Sequence, residues 1–245
     1  MLSKTIIDFK PISPQHGDLF KRSMVFRNYA PGGDVTGNDT AEVARWLEKS
    51  GVLGLSVVTE SKHFGGSLDL LRTIVKAVSI PVLRKDFIRS EDDLYETLDC
   101  GAKGVLLICS TTDNIGALHE KALSIGLKPV VEVHTQDEMR QAGLIGARII
   151  GINNKDITAL ERDGGSVALT LELLKTAPKG AFIISESGIS SKEEAQKALA
   201  AGANAVLIGT AFWQGRFEIG ELKDLNGENN INGENICKNI VNLVE

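Results

Sequence analysis

Eight short apolar runs recur along the chain, separated by longer segments in which charged and apolar positions repeat with helical spacing. The runs are TIIDFK (5–10), LGLSVVTE (53–60), IPVLRKDF (80–87), KGVLLICS (103–110), KPVVEVH (128–134), RIIGINNKD (148–156), AFIISESG (181–188) and NAVLIGTAF (204–212). They are nearly continuously apolar rather than alternating, as strands buried on both faces must be. Their length suits strands rather than helices. The segments between them open on helix caps. Ser67 precedes LDLLRTIVKAV and Ser90 precedes EDDLYETLDCG, while Thr135–Glu138 and Ser191–Glu194 have the spacing of capping boxes. Glycine then closes the helix, and CGAKGVLL, IGARIIGI and AGANAVLI form a weak internal repeat of helix end, Gly-Ala and strand.

Strand–helix alternation predicts a parallel sheet covered on both faces. About eight such units in 245 residues match an α/β fold of the (β/α)8 TIM-barrel type, read as a single domain over residues 1–245. A doubly wound open sheet is the alternative. It fits less well, because no G-x-G-x-x-G follows the first strand and the number of units is high. Two segments interrupt the rhythm. Residues 14–38 form a long β1–α1 connection, expected to be a functional or mobile loop. Residues 218–235 are polar and Asn-rich, expected to be a surface connection before a C-terminal helix at ICKNIVNLVE (236–245).

Composition narrows the function. A net charge of −5 leaves no basic footprint for nucleic acid. Cys100, Cys109 and Cys237 are odd in number without CxxC spacing, so they read as free thiols of a reducing compartment. No apolar stretch reaches membrane-span length and the N-terminus has no apolar core of a signal peptide, so a cytoplasmic protein is expected. His16, His63, His119 and His134 share no ligand spacing, so no metal is expected, and His134 reads as a helix-entry residue.

A barrel enzyme carries its site at the C-terminal ends of its strands. Polar residues stand at those ends here: Asp8 and Lys10, Thr59 and Glu60, Lys85 and Asp86, Glu132, Asn153 and Lys155, Glu186 and Ser187, then Gly209 and Thr210. Residues i and i+2 of a strand share a face, so Asp8 points with Lys10, and Asn153 with Lys155. Burying such charges unpaired costs several kcal/mol each, on the order set by desolvation. They are therefore either a salt-bridged interior layer or a site, and their common location favours a site. Ser187-Gly188 and Gly209-Thr210 follow the last two strands, where small residues let a phosphate approach backbone N–H groups. On residues alone a synthase, a phosphosugar isomerase, a Schiff-base aldolase and a non-catalytic barrel all stay open.

DFKPISP, LSVVTESKHFGGS, PVLRKDFI, VVEVHTQDE, IIGINNKDI, ISESGI and AVLIGTAF, in that order, resemble the indole-3-glycerol-phosphate synthases of tryptophan biosynthesis. DFKPISP is similar to the family's E-x-K-x-x-S-P, with Ser13 at its serine. The resemblance implies ring closure, decarboxylation and dehydration of 1-(2-carboxyphenylamino)-1-deoxyribulose 5-phosphate. It implies that Lys85 is the general acid that protonates the ketone oxygen and Glu132 the general base that removes the ring proton. Lys10 would hold anionic groups and assist dehydration, with Asp8 beside it, and Asn153 would orient the substrate. Ser187, Gly188, Gly209 and Thr210 would form a phosphate cup supported by Glu186. Ser13, Glu60, Phe64, Phe87 and Lys155 would complete the substrate site, and Arg84 and Asp86 would make structural ion pairs. No metal and no organic cofactor is implied. The implied partners are the phosphorylated substrate and other enzymes of tryptophan biosynthesis, with neither nucleic acid nor membrane. Three departures imply a divergent member or a paralogue with a changed substrate. Asp8 stands where the family has Glu, Lys155 stands where Arg is usual, and only Met1–Lys4 precede the first strand.

Overall fold

A computed structural model describes residues 4–30, 34–155 and 166–225 of the chain. Each of the eight apolar runs forms one strand: β1 Thr5–Phe9, β2 Gly54–Val58, β3 Val82–Lys85, β4 Gly104–Ile108, β5 Lys128–Val133, β6 Ile149–Asn153, β7 Phe182–Glu186 and β8 Ala205–Ile208. They close into a parallel barrel in chain order, with β8 pairing back onto β1 through Thr5↔Val206 and Ile7↔Ile208. One main helix covers each connection: α1 Gly37–Lys49, α2 Leu68–Ala77, α3 Glu91–Asp99, α4 Ile115–Ser124, α5 Gln136–Leu144, α6 Ala168–Leu173 and α7 Lys192–Ala200. This is the (β/α)8 barrel that the pattern predicts. Among the described residues no helix is long and apolar enough to cross a membrane.

Strand alternation divides the core. Outward positions such as Ile7, Phe9, Val105, Leu107, Val131, Val133, Ile150 and Ile152 are buried beneath the helices. Inward positions Leu83, Leu106, Val130, Ile184, Ala205 and Leu207 fill the barrel from inside. Each side chain fully buried this way contributes about 1.5–3 kcal/mol.

The helix starts differ in detail from the expected capping boxes. Complete boxes occur at Thr36/Asp39 and Ser90/Asp93. At Thr135 and Ser191 the hydroxyl caps the helix, but the Glu three residues on reaches past the cap. Glu138 accepts the N–H of His134, and Glu194 accepts the N–H and hydroxyl of Ser190. The extra methylene of Glu over Asp accounts for the added reach.

The segment 14–38 is not an open loop. Its Gly17–Asp18 pairs with Ile12–Ser13, just ahead of it, in a two-stranded hairpin, and short helices Leu19–Arg22 and Met24–Arg27 follow. Leu19, Phe20 and Phe26 are buried in the main core, where Phe20 and Phe26 pack on Trp213 at ring-centroid distances of 5.2 and 5.3 Å. These contacts anchor the segment in the core, and pattern alone could not show it because the packing partner lies nearly two hundred residues away. In the polar stretch 218–235, Ile219–Asp224 is a short helix capped by Glu218 and Glu221. Residues 226–235 of that stretch, the expected C-terminal helix and Cys237 lie outside the described residues.

Candidate active site

The inward faces of the strands change character along their length. On β5 the inward sequence runs Val130, Glu132, with His134 just past the strand end; on β7 it runs Phe182, Ile184, Glu186; on β3 it runs Leu83, Lys85. The mouth end of the barrel is therefore charged where the floor is apolar. Lys85 Nζ donates to Glu132 Oε2 at 3.0 Å and lies 3.6 Å from Glu186 Oε2. Both carboxylates are 0% exposed, so a single ammonium faces two fully buried acids. Burial, opposed by Lys85 and reinforced by the charges of Glu132 and Asp8, pushes Glu186 up to about 7.

Room for this cluster comes from Gly151 on β6, which sits in register between Glu132 and the β7 strand. A Cβ on Gly151 would stand 2.0 Å from Glu186 Oε1, so any side chain there displaces the carboxylate. Gly209 plays a lesser part of the same kind, its Cβ position lying 3.2 Å from Asp8 Cβ. The end of β1 is fixed from behind, where Trp213 Nε1 donates to the Asp8 carbonyl at 2.7 Å.

Arg84 and Asp86, on either side of Lys85, turn away from it. The Arg84 guanidinium pairs with Asp86 at 3.2 Å and Glu96 at 3.0 Å and also donates to Thr59 and Thr97. These are the structural ion pairs expected from strand alternation.

Lys85 lies on the wall of a cavity of about 330 Å³ at the mouth. Asp8, Lys10 and Lys155 line it, as do Ser187, Gly188, Gly209 and Thr210. Ser187 has φ 58°, alone among the described non-glycine residues in being positive, and Gly188 follows at 67°. Asn154 holds this turn: its Nδ2 donates to the carbonyls of Glu186 and Ser187 and its Oδ1 accepts from Thr170. A smaller side cavity adjoins, lined by Glu60, Phe64, Phe87 and again by Lys10 and Lys85. Lys10 Nζ sits 5.6 Å from the centre of the Phe64 ring, within cation–π range.

Some expected site residues sit differently. Both oxygens of Glu60 serve its own loop, accepting the N–H groups of Lys62, His63 and Phe64, which outweighs burial and holds its pKa below the usual value. Ser13 is buried in the hairpin, accepts the His16 N–H at 3.3 Å and lines neither cavity. Asn153 is fully buried; its Oδ1 accepts the Lys155 N–H, and its Nδ2 has no hydrogen-bond partner among the described residues.

Sequence reasoning missed Gln15, His16, Gln214 and Arg216, which also line the main cavity. Burial lowers the pKa of His16, and the charges of Lys155, Arg216, Lys10 and Arg22 lower it further. The surroundings of His16 are electropositive on a chain of net charge −5. The available signal for Arg216 was a basic residue just after the short helix Thr210–Trp213 that follows β8.

The family model described as indole-3-glycerol phosphate synthase matches residues 27–222. The chain is 40% identical over 209 residues to the indole-3-glycerol phosphate synthase of Pyrococcus furiosus, covering 84% of each chain. It is 38% identical to that of Thermococcus kodakarensis, over 84% of this chain and 85% of the relative, and 36% identical to that of Clostridium acetobutylicum, over 76% and 69%. In fold alone it is similar to the solved N-acetylmannosamine-6-phosphate 2-epimerase of Clostridium perfringens, with a TM-score of 0.62 at 16% identity over 84% of this chain and 86% of that one. The lysine, the carboxylates and the glycine-lined cavity thus stand in a chain that belongs to the indole-3-glycerol phosphate synthase family.

Proposed function

We propose that this chain converts 1-(2-carboxyphenylamino)-1-deoxyribulose 5-phosphate to indole-3-glycerol phosphate, with loss of CO2 and water. One observation carries the reading: Lys85, paired with buried Glu132, opens onto the same cavity that Ser187, Gly188, Gly209 and Thr210 line. Lys85, braced by buried Glu132, thus presents an ammonium to a space that is also lined by small residues and by the basic Lys10, Lys155 and Arg216.

The phosphate sits against Ser187, Gly188, Gly209 and Thr210, with Lys155 and Arg216 supplying the field. The aromatic ring lies toward Phe64 and Phe87. Lys85 Nζ–H protonates the ketone oxygen as the aromatic carbon attacks, so no alkoxide develops in a buried site. Loss of CO2 restores electrons to the ring. Lys10 assists departure of the resulting hydroxyl as water, with Asp8 on the same face of β1, and Glu132 takes the proton released as the new ring becomes aromatic. Asn153 and Glu186 hold the surrounding geometry. Every proton has a donor or acceptor among these side chains, so the reaction as written consumes no cofactor. The reading also places the protein in the cytoplasm among the other enzymes of tryptophan synthesis.

The test is a fluorescence assay of the purified chain with the carboxyphenylamino-deoxyribulose phosphate. Indole emission should grow with substrate and time. A folded chain that gives no emission at millimolar substrate would overturn the assignment.

A further inference from the structure

Two residues beyond Glu132, just past the end of β5, stands His134. Glu132 Oε2 is occupied by Lys85, but Glu132 Oε1 is buried without a hydrogen-bond partner among the described residues. His134 Nε2 is likewise buried without a hydrogen-bond partner, and the two atoms face each other across 3.6 Å. The other side of the ring is held. Nδ1 lies 3.5 Å from Glu138 Oε2, and that same oxygen accepts the His134 backbone N–H at 2.5 Å. Glu138 is itself seated by its N–H bond to the Thr135 hydroxyl, at the start of α5. A carboxylate, an imidazole and a second carboxylate therefore stand in line, with the last at the reacting end.

The arrangement answers a difficulty in the reaction proposed above. Lys85 cannot hold Glu132 and donate to a ketone oxygen with the same proton. Once substrate draws Lys85 away, Glu132 becomes a buried carboxylate with its counter-charge gone, which raises the proton affinity of such a group. A shift of roughly half an ångström would bring Nε2–H within hydrogen-bond reach of Oε1.

We propose that His134, clamped by Glu138, is a positioning residue that keeps Glu132 ionised and oriented when Lys85 engages the substrate. This rests on the reading of Glu132 as the base. The charged groups facing His134 are Glu132 on β5, Glu138 on α5 and Lys85 on β3. Cys109, beside both carboxylates at the end of β4, is pushed up to about 12 by burial and carries no charge. Burial opposes protonation of His134, but the Glu138 contact and the two carboxylate charges outweigh it and raise its pKa. The sign is that of a cation available to Glu132.

The experiment is the pH profile of kcat for His134→Leu, His134→Gln, Glu138→Gln and Glu132→Gln. In His134→Leu the acid limb should move up by about one pH unit, so that kcat below the limb falls about tenfold while kcat above it holds. His134→Gln, which keeps a donor and fills the site if the leucine variant folds poorly, should shift the limb by less, as should Glu138→Gln. A merely structural role would lower kcat equally at all pH, and an unmoved limb in the folded His134 variants overturns the proposal. If Glu132→Gln is inactive in that case, only the positioning role falls. If Glu132→Gln retains activity, the reading of Glu132 as the base falls and takes the proposal with it.

Discussion

The inside of the barrel is two regions built from the same strand faces. Toward the floor, Leu83, Leu106, Val130, Ile184 and Leu207 pack as an ordinary apolar core. One inward position further along, Lys85, Glu132 and Glu186 stand in the same closed wall with two carboxylates on one ammonium. The step between them is two residues, roughly 6.6 Å at the rise of a strand. The floor gains free energy by burial. The mouth loses it, because a fully buried acid pushed up to about 7 opposes folding whenever it is ionised. Stability is thus concentrated in one layer and reactivity in the next, and substitutions should separate the two.

The largest stability effect belongs to the floor. Ile184→Ala, at a floor position that lines neither cavity, should cost about 2–5 kcal/mol in denaturant unfolding while leaving kcat of the folded protein near wild type. Gly151→Ala acts on the mouth through space alone. Its methyl group must displace the Glu186 carboxylate, so kcat should fall by about tenfold to a hundredfold in steady-state assays.

Glu186→Gln sharpens the comparison through pH. The folded pKa of Glu186, about 7, lies above its ordinary 4.5. The folded state therefore binds the extra proton between those values, and wild-type stability falls as pH rises through that window. The glutamine variant escapes that loss. Its gain in unfolding free energy should be negligible near pH 4 and reach on the order of 1–3 kcal/mol above pH 7, with reduced kcat. A gain independent of pH would show that Glu186 is not the group titrating. The smallest effect is expected at the cavity rim, where Lys155→Arg restores the planar fork usual in the family and should change kcat/KM by no more than about threefold, upward.

Much of this was legible in the chain. The eight strands announce themselves because a strand buried on both faces admits few polar residues, so the runs stand out and their charged ends stand out further. Lys85, Glu132 and the Ser187-Gly188 and Gly209-Thr210 pairs come together in space as their strand-end positions require. What stayed hidden depends on distance in sequence. Phe20 and Phe26 read as part of a loop until Trp213 is seen beneath them. Gly151 reads as a small strand residue until Glu186 from the next strand fills its place. Asn154 reads as a neighbour of Asn153, yet it is Asn154 that ties down the left-handed turn at Ser187. Glu60 carries the opposite lesson, since a carboxylate at a strand end can be consumed by its own loop.

The central claim is that Lys85 donates a proton to the substrate rather than only attracting it. The direct measurement is kcat and KM of Lys85→Ala, with folding checked by circular dichroism. The account predicts a kcat loss of more than about a hundredfold with KM changed by a few-fold, as for a positioned general acid. A kcat within about tenfold of wild type together with a sharply raised KM would contradict it.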